Sequence, residues 1–152
     1  AAERGRGIAL MQQASQSGSA IATFNLGVLS QEGEFGDPGD ARTLFERAAR
    51  EGEPRGYRAA AVLLDEGRGV SRDPESAAQQ LLLGVASDDG SLLRELSEQG
   101  SDWNAETLSA LQRRLGRAGL YQGEVDGIAG PALARALALW RNGGFDASAL
   151  TG

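Results

Sequence analysis

Glycines cut this chain into helix-length pieces, and they do so at a recurring interval. Gly33 and Gly67 stand about one repeat length apart, as do Ala41 and Ala77, the spacing expected of stacked helix pairs. Between the breaks, apolar residues recur at helical spacing. Ala22, Leu26 and Leu29 share one face, and Ala41, Leu44, Phe45 and Ala48 another. Ala60, Ala61, Leu63 and Leu64 follow, then Ala77, Ala78, Leu81, Leu82 and Val85. A single pair of such helices cannot bury its own apolar face, so neighbours must stack. Side chains as small as Ala and Gly let the backbones come close. The pattern leaves little room for strands.

The runs can be bounded from their ends. Ile8 to Ala14 is helical and Gly18 ends it; the next run covers residues 19 to about 33. Asp40 is a candidate N-cap for a helix reaching about Glu51, and Gly52 with Pro54 marks the turn after it. Tyr57 to Glu66 is the next helix. Gly67-Arg68-Gly69-Val70 follows, and Asp73-Pro74 opens another helix. Residues 90 to 99, with Leu92, Leu93 and Leu96, read as the first helix of an incomplete third unit. Gln99 to Trp103 is a polar junction containing Gly100, and Asn104 is positioned to cap what comes next.

The stretch from Leu111 to Trp140 has a different build. Leu111, Leu115 and Ala118 lie on one helical face, and Leu133, Leu137 and Trp140 on a second. Between them Gly119, Gly123, Asp126, Gly127 and Gly130 crowd a short loop, which glycine's freedom at positive φ allows to take a fixed shape. Pro131 suits the first turn of the closing helix, where no N–H is needed. Gly143-Gly144 ends that helix, and Phe145 or Leu150 is expected to fold back onto it.

Two resemblances rest on these residues. Leu111-Gln112, Gly119-Leu120-Tyr121, Asp126-Gly127, Gly130 and Ala136-Leu137 running to Trp140 resemble the small three-helix peptidoglycan-binding domain. Gly67, Gly69, Val70, Asp73 and Ala77, with Leu26-Gly27 and Ala48-Ala49-Arg50-Glu51-Gly52, resemble Sel1-like repeats. Together they imply an all-α chain. Residues 1–99 would form a short Sel1-like αα solenoid of about two and a half helix pairs. Residues 103–152 would form a small three-helix peptidoglycan-binding-like domain. The combination resembles the periplasmic end of bacterial polarity and localisation scaffolds, and similar modules occur as appendages on bacterial hydrolases and caspase-like proteases.

Composition narrows the function. The chain has no Lys, His or Cys. Zinc sites therefore lack their usual ligands, and Ser-His, Cys-His and Ser-Lys systems cannot be assembled from it. Only carboxylate chemistry remains, and no facing pair of carboxylates can be assigned, so a non-enzymatic role without cofactor or metal is expected. Residues 1–100 hold ten Arg against sixteen Asp and Glu, while residues 101–152 hold five of each. An acidic body repels phosphate backbones, so nucleic acid is a poor partner. No apolar run approaches membrane-spanning length and no secretory signal is visible. The chain opens inside a helical pattern, and is read as a piece of a longer protein.

The expected function is a non-catalytic module of the bacterial envelope. A protein partner would sit on the solenoid face, where Asp65, Glu66, Asp88 and Asp89 either favour a basic partner or are simply solvated. The terminal domain would touch peptidoglycan in the periplasm, with the cytoplasm left open as a location. The resemblance puts Tyr121, Gln122, Asp126, Arg135 and Trp140 forward as wall-ligand contacts. From the residues alone, Trp140 reads as core ahead of ligand surface, Asp126 as a turn-former and Arg135 as a solvated helix face, while Tyr121 is balanced between the two. The competing expectation is a purely protein-binding module whose wall site is lost. Leu133 where the family has Thr, and Trp140-Arg141 where it has Phe-Gln, motivate it.

Overall fold

A computed structural model describes residues 2–144 and 147–151. Among them there are eight α-helices and no strand: α1 (Ala2–Gln16), α2 (Ala20–Gln31), α3 (Ala41–Arg50), α4 (Arg55–Glu66), α5 (Pro74–Ser87), α6 (Ser91–Gln99), α7 (Ala105–Arg117) and α8 (Pro131–Leu139). Short helical turns lie at Pro38–Asp40, Gly100–Asp102, Trp140–Gly144 and Ala147–Ala149. None of the described helices is long and apolar enough to cross a membrane.

The first five helices stack in chain order, each packed on the one before it. Their ends are chemically fixed. The Ser19 hydroxyl accepts the Ala22 N–H at 3.2 Å to start α2. The Asp73 carboxylate accepts the Ser76 N–H at 3.1 Å, with Pro74 at the first helical position of α5. Gly67 closes α4 at φ 74°, a left-handed cap. Close approach of the helices depends on residues without bulk. A Cβ on Gly56 of α4 would lie 2.1 Å from the Phe45 carbonyl oxygen of α3, so only glycine permits that crossing.

Two apolar clusters fill the interior, and α4 belongs to both. Ala60 and Leu63 pack with Ala41 and Phe45. Ala61 joins a larger cluster that runs through Leu81, Leu82 and Leu92 to Leu111, Leu137 and Trp140. The helices after Trp103 therefore share a core with α5 and α6. α7 lies along α5, and α8 lies against α6. Trp140 is 1% exposed, and its indole N–H donates to the Leu82 carbonyl of α5 at 2.7 Å. Leu150 packs onto this core; Phe145 lies outside the described residues.

Asp40 and Asn104 stand at the expected N-cap positions of α3 and α7, but the bonding differs from expectation, and a third expectation, on Asp65, is corrected. Asp40 does not cap α3 with its side chain; its carboxylate instead accepts the Asp37 N–H at 3.1 Å, closing the turn before the helix. Asn104 does not cap α7 with its side chain either; that side chain donates to the Asp65 carbonyl at 2.9 Å. The α7 start is served from α4. The Asp65 carboxylate, 3% exposed, accepts the Asn104 N–H at 3.2 Å and the Thr107 hydroxyl at 2.6 Å. Asp65 is thus an internal joint rather than part of a surface acidic patch. Asp88 is likewise engaged, accepting the Gly90 and Leu92 N–H groups that start α6 and pairing with Arg141 at 3.3 Å.

Candidate functional site

The first helices of the successive pairs, α2, α4 and α6, do not pack closely on one another among the described residues. They leave a groove. Its larger compartment, about 760 Å³, is bounded by Phe24 of α2, the Glu53–Ala59 stretch and the Ser87–Glu95 stretch. A second compartment of about 450 Å³ continues from Arg58 and Glu95 to Asp102 and Trp103. Arg58 and Glu95 line both, so the two hollows are one groove crossed by a single bar.

That bar is a bidentate ion pair. Arg58 Nε donates to Glu95 Oε1 at 2.6 Å, and Nη2 to Oε2 at 3.1 Å. The hydrogen bonds to Glu95 raise the Arg58 pKa above its ordinary value. Trp103 steadies it from below. Its indole N–H donates to Glu95 Oε2 at 3.3 Å, and the Arg58 guanidinium carbon stands 5.9 Å from the ring centre. At the other end Arg55 lies 4.6 Å over the Phe24 ring and pairs with Glu53 at 2.6 Å, which lowers the Glu53 pKa. The groove therefore has an aromatic at each end and charge along its walls.

The glycine-rich loop between α7 and α8 offers a second, shallower surface. Its shape is set by Gln112, a buried residue at 1% exposure. Gln112 Oε1 accepts the Asp126 and Gly127 N–H groups at 3.0 and 2.9 Å. Its Nε2 donates to the Tyr121 hydroxyl, Asp126 Oδ1 and the Ile128 carbonyl at 2.9 to 3.2 Å. Buried loop backbone has no helix to satisfy it, so one amide side chain supplies both donor and acceptor. Gly127 sits at φ 70°, and a Cβ there would lie 2.7 Å from the Ala105 carbonyl oxygen. A hollow beside the loop is lined by Tyr121, Gly123 and Val125 together with Arg113 and Arg117.

The structure separates the five residues put forward as wall contacts. Tyr121 is largely buried; its hydroxyl donates to the Glu124 carbonyl at 2.5 Å, and burial raises its pKa, with the Asp126 and Glu124 charges adding to the effect. Asp126 bonds Gln112 and the Ile128 N–H, and both lower its pKa. Gln122 is exposed on the loop. Arg135 is exposed on α8, and Trp140 is sealed in the core. Tyr121 and Asp126 are brought together through Gln112; Trp140 is not on that surface. Sequence reasoning missed the Arg58–Glu95 bar, because thirty-seven residues separate its ends. It also gave Gln112 no role beyond its place in a motif.

Among the described residues no group of three His, Cys, Asp or Glu side chains could hold a metal ion. No protein-family model matches the sequence, and no curated protein matches it. Among solved structures, a Sel1 repeat protein from Oxalobacter formigenes is similar in fold, with a TM-score of 0.55 at 17% identity. The alignment covers 91% of this chain and 63% of that one, so this chain spans under two thirds of the length of the structure it matches. A span of that size cannot be met by residues 1–99 alone; it includes helices beyond the predicted junction.

Proposed function

We propose that the chain is a non-catalytic protein-interaction solenoid whose partner docks in the groove between α2, α4 and α6. The observation that carries this reading is the groove itself. α4 packs closely on α3 and α5, yet its face toward α2 and α6 is open and lined with an aromatic residue and charges. Helical solenoids recognise partners on such extended inner surfaces. Peptide display against the full chain tests it. Selected peptides should bind the unmodified protein and lose binding to Ala59→Trp, which fills the larger compartment. Peptides that bind both proteins equally would place the docking surface elsewhere.

A second reading concerns the region after Trp103, which resembles a peptidoglycan-binding domain. The hollow beside Tyr121 is edged by two guanidinium groups, Arg113 paired with Glu75 at 2.6 Å and Arg117 bonded to the Thr151 carbonyl at 2.9 Å, which a ligand carboxylate would share, and Val125 and Ile128 are exposed on the same loop. This chemistry suits a short peptide bearing carboxylates, as wall stem peptides do. On this reading the chain is an envelope module of a larger bacterial scaffold, working in the periplasm. Muropeptide titration followed by NMR is the test. Shifts at Tyr121, Gln122 and Val125 support it, and an unchanged loop leaves the purely protein-binding role, or that of an accessory domain on a hydrolase or caspase-like protease.

A further inference from the structure

The charge in the groove is lopsided. Seven carboxylates line its two compartments against three guanidinium groups, an excess of four negative charges. The three arginines are already matched: Arg55 by Glu53, Arg58 by Glu95 and Arg68 by Glu66. Of the remaining carboxylates, Asp65 is buried in its joint with α7 and Asp88 is paired with Arg141. Asp89 and Asp102 stay exposed, at opposite ends. Unmatched carboxylates at the two ends of a cleft draw cationic groups into it.

The crossbar gives this field a specific role. Arg58 keeps 49% of its side chain exposed, while Glu95 keeps 21%. Glu95 accepts a hydrogen bond from the Trp103 indole at 3.3 Å, whereas Arg58 meets that ring through its face at 5.9 Å on a long, more exposed stem. If the bar opens, Glu95 stays at the bottom of the groove and Arg58 swings away. The position it vacates is a ready-made guanidinium seat: a carboxylate for the fork and an indole face alongside.

We infer that the groove takes a basic, extended segment of a partner protein, and that an incoming arginine replaces Arg58 on Glu95, joining the two compartments into one channel. This rests on the groove being the docking surface. The displaced Arg58 makes the seat selective, because a segment without a cation offers Glu95 nothing in exchange. Asp89 and Asp102 then meet further basic residues of the segment on either side.

The probes are two labelled peptides equal in length and leucine content, one arginine-rich and one glutamate-rich, titrated against the full chain. The arginine-rich peptide should bind saturably, more weakly as salt rises, and shift NMR signals of Trp103 and Ala59. Glu95→Gln should weaken it about tenfold. Arg58→Ala should tighten it several-fold, because the competing internal cation is gone; a purely structural Arg58 predicts no gain. A milder pair, Asp89→Asn with Asp102→Asn, should weaken it without touching the bar. Equal binding of the glutamate-rich peptide, or loss of affinity in Arg58→Ala, overturns the inference. The display experiment separates the failures. Groove-dependent peptides that lack basic residues would sink this inference and leave the docking surface standing. If no peptide depends on the groove, both fall.

Discussion

The stacked helices up to α5 and the region from α6 onward are held together by different means. In the first region, small residues bring backbones close: Ala41, Ala48, Ala60 and Ala77 are fully buried, and Gly56 touches the α3 backbone. Polar side chains there end helices or tie neighbouring helices at single points, as the buried Ser15 and Thr23 hydroxyls do at 2.6 Å and Arg47 does with the Ser15 carbonyl at 2.9 Å. In the second, buried polar groups carry much of the structure. Gln112 holds the loop, and Arg114, 2% exposed, donates to the Ala149 carbonyl at 3.1 Å to bring the final turn back. Arg117 adds a bond to the Thr151 carbonyl at 2.9 Å. Repetition explains the contrast. A repeating stack meets its neighbours through matching faces, but the last unit must close onto loops whose backbone needs partners of its own.

The contrast can be broken most forcefully at Phe45, which is 1% exposed. Phe45→Ala should cost about 3 to 5 kcal/mol in urea unfolding. Both tryptophans lie in the other cluster. If α4 couples the two, their fluorescence will follow the helical signal to the same lowered midpoint. Gly56→Ala is expected to cost about 1 to 3 kcal/mol, by forcing α3 and α4 apart.

Next comes the joint between the regions. Asp65→Ala leaves the α7 start without its acceptor and should cost about 1 to 3 kcal/mol, read as a fall in thermal midpoint. Gln112→Ala strands the Asp126 and Gly127 amides. A loss of about 1 to 2 kcal/mol should come with faster hydrogen exchange confined to the loop. The smallest effect concerns pH. Asp126 has a lowered pKa in the folded state, so its contribution is present above the unfolded carboxylate pKa and fades as pH falls through the folded value. Asp126→Asn should therefore be less stable at neutral pH, and the two proteins should converge in acid.

How much of this was legible in the sequence follows from the same contrast. The helices of the stack were readable because burial imposes a helical period: Ala77, Ala78, Leu81, Leu82 and Val85 are all fully buried. Gly67 and Pro131 marked real boundaries. Bonds between distant polar groups have no period. Asp65 looked like one member of an acidic surface cluster, and nothing nearby in sequence signals that its partners are Asn104 and Thr107. Trp140 ended an apolar stripe, but its hydrogen bond to Leu82 depends on α5 lying alongside. The groove was equally invisible, since it exists only because α4 and α6 stand apart.

Hydrogen exchange on the full chain, with and without a groove-selected peptide, puts the two regions in direct competition. The account predicts protection in residues 53–59 and 87–95 and none in the loop at 119–130. Protection confined to that loop, with the α4 and α6 segments unchanged, would contradict it.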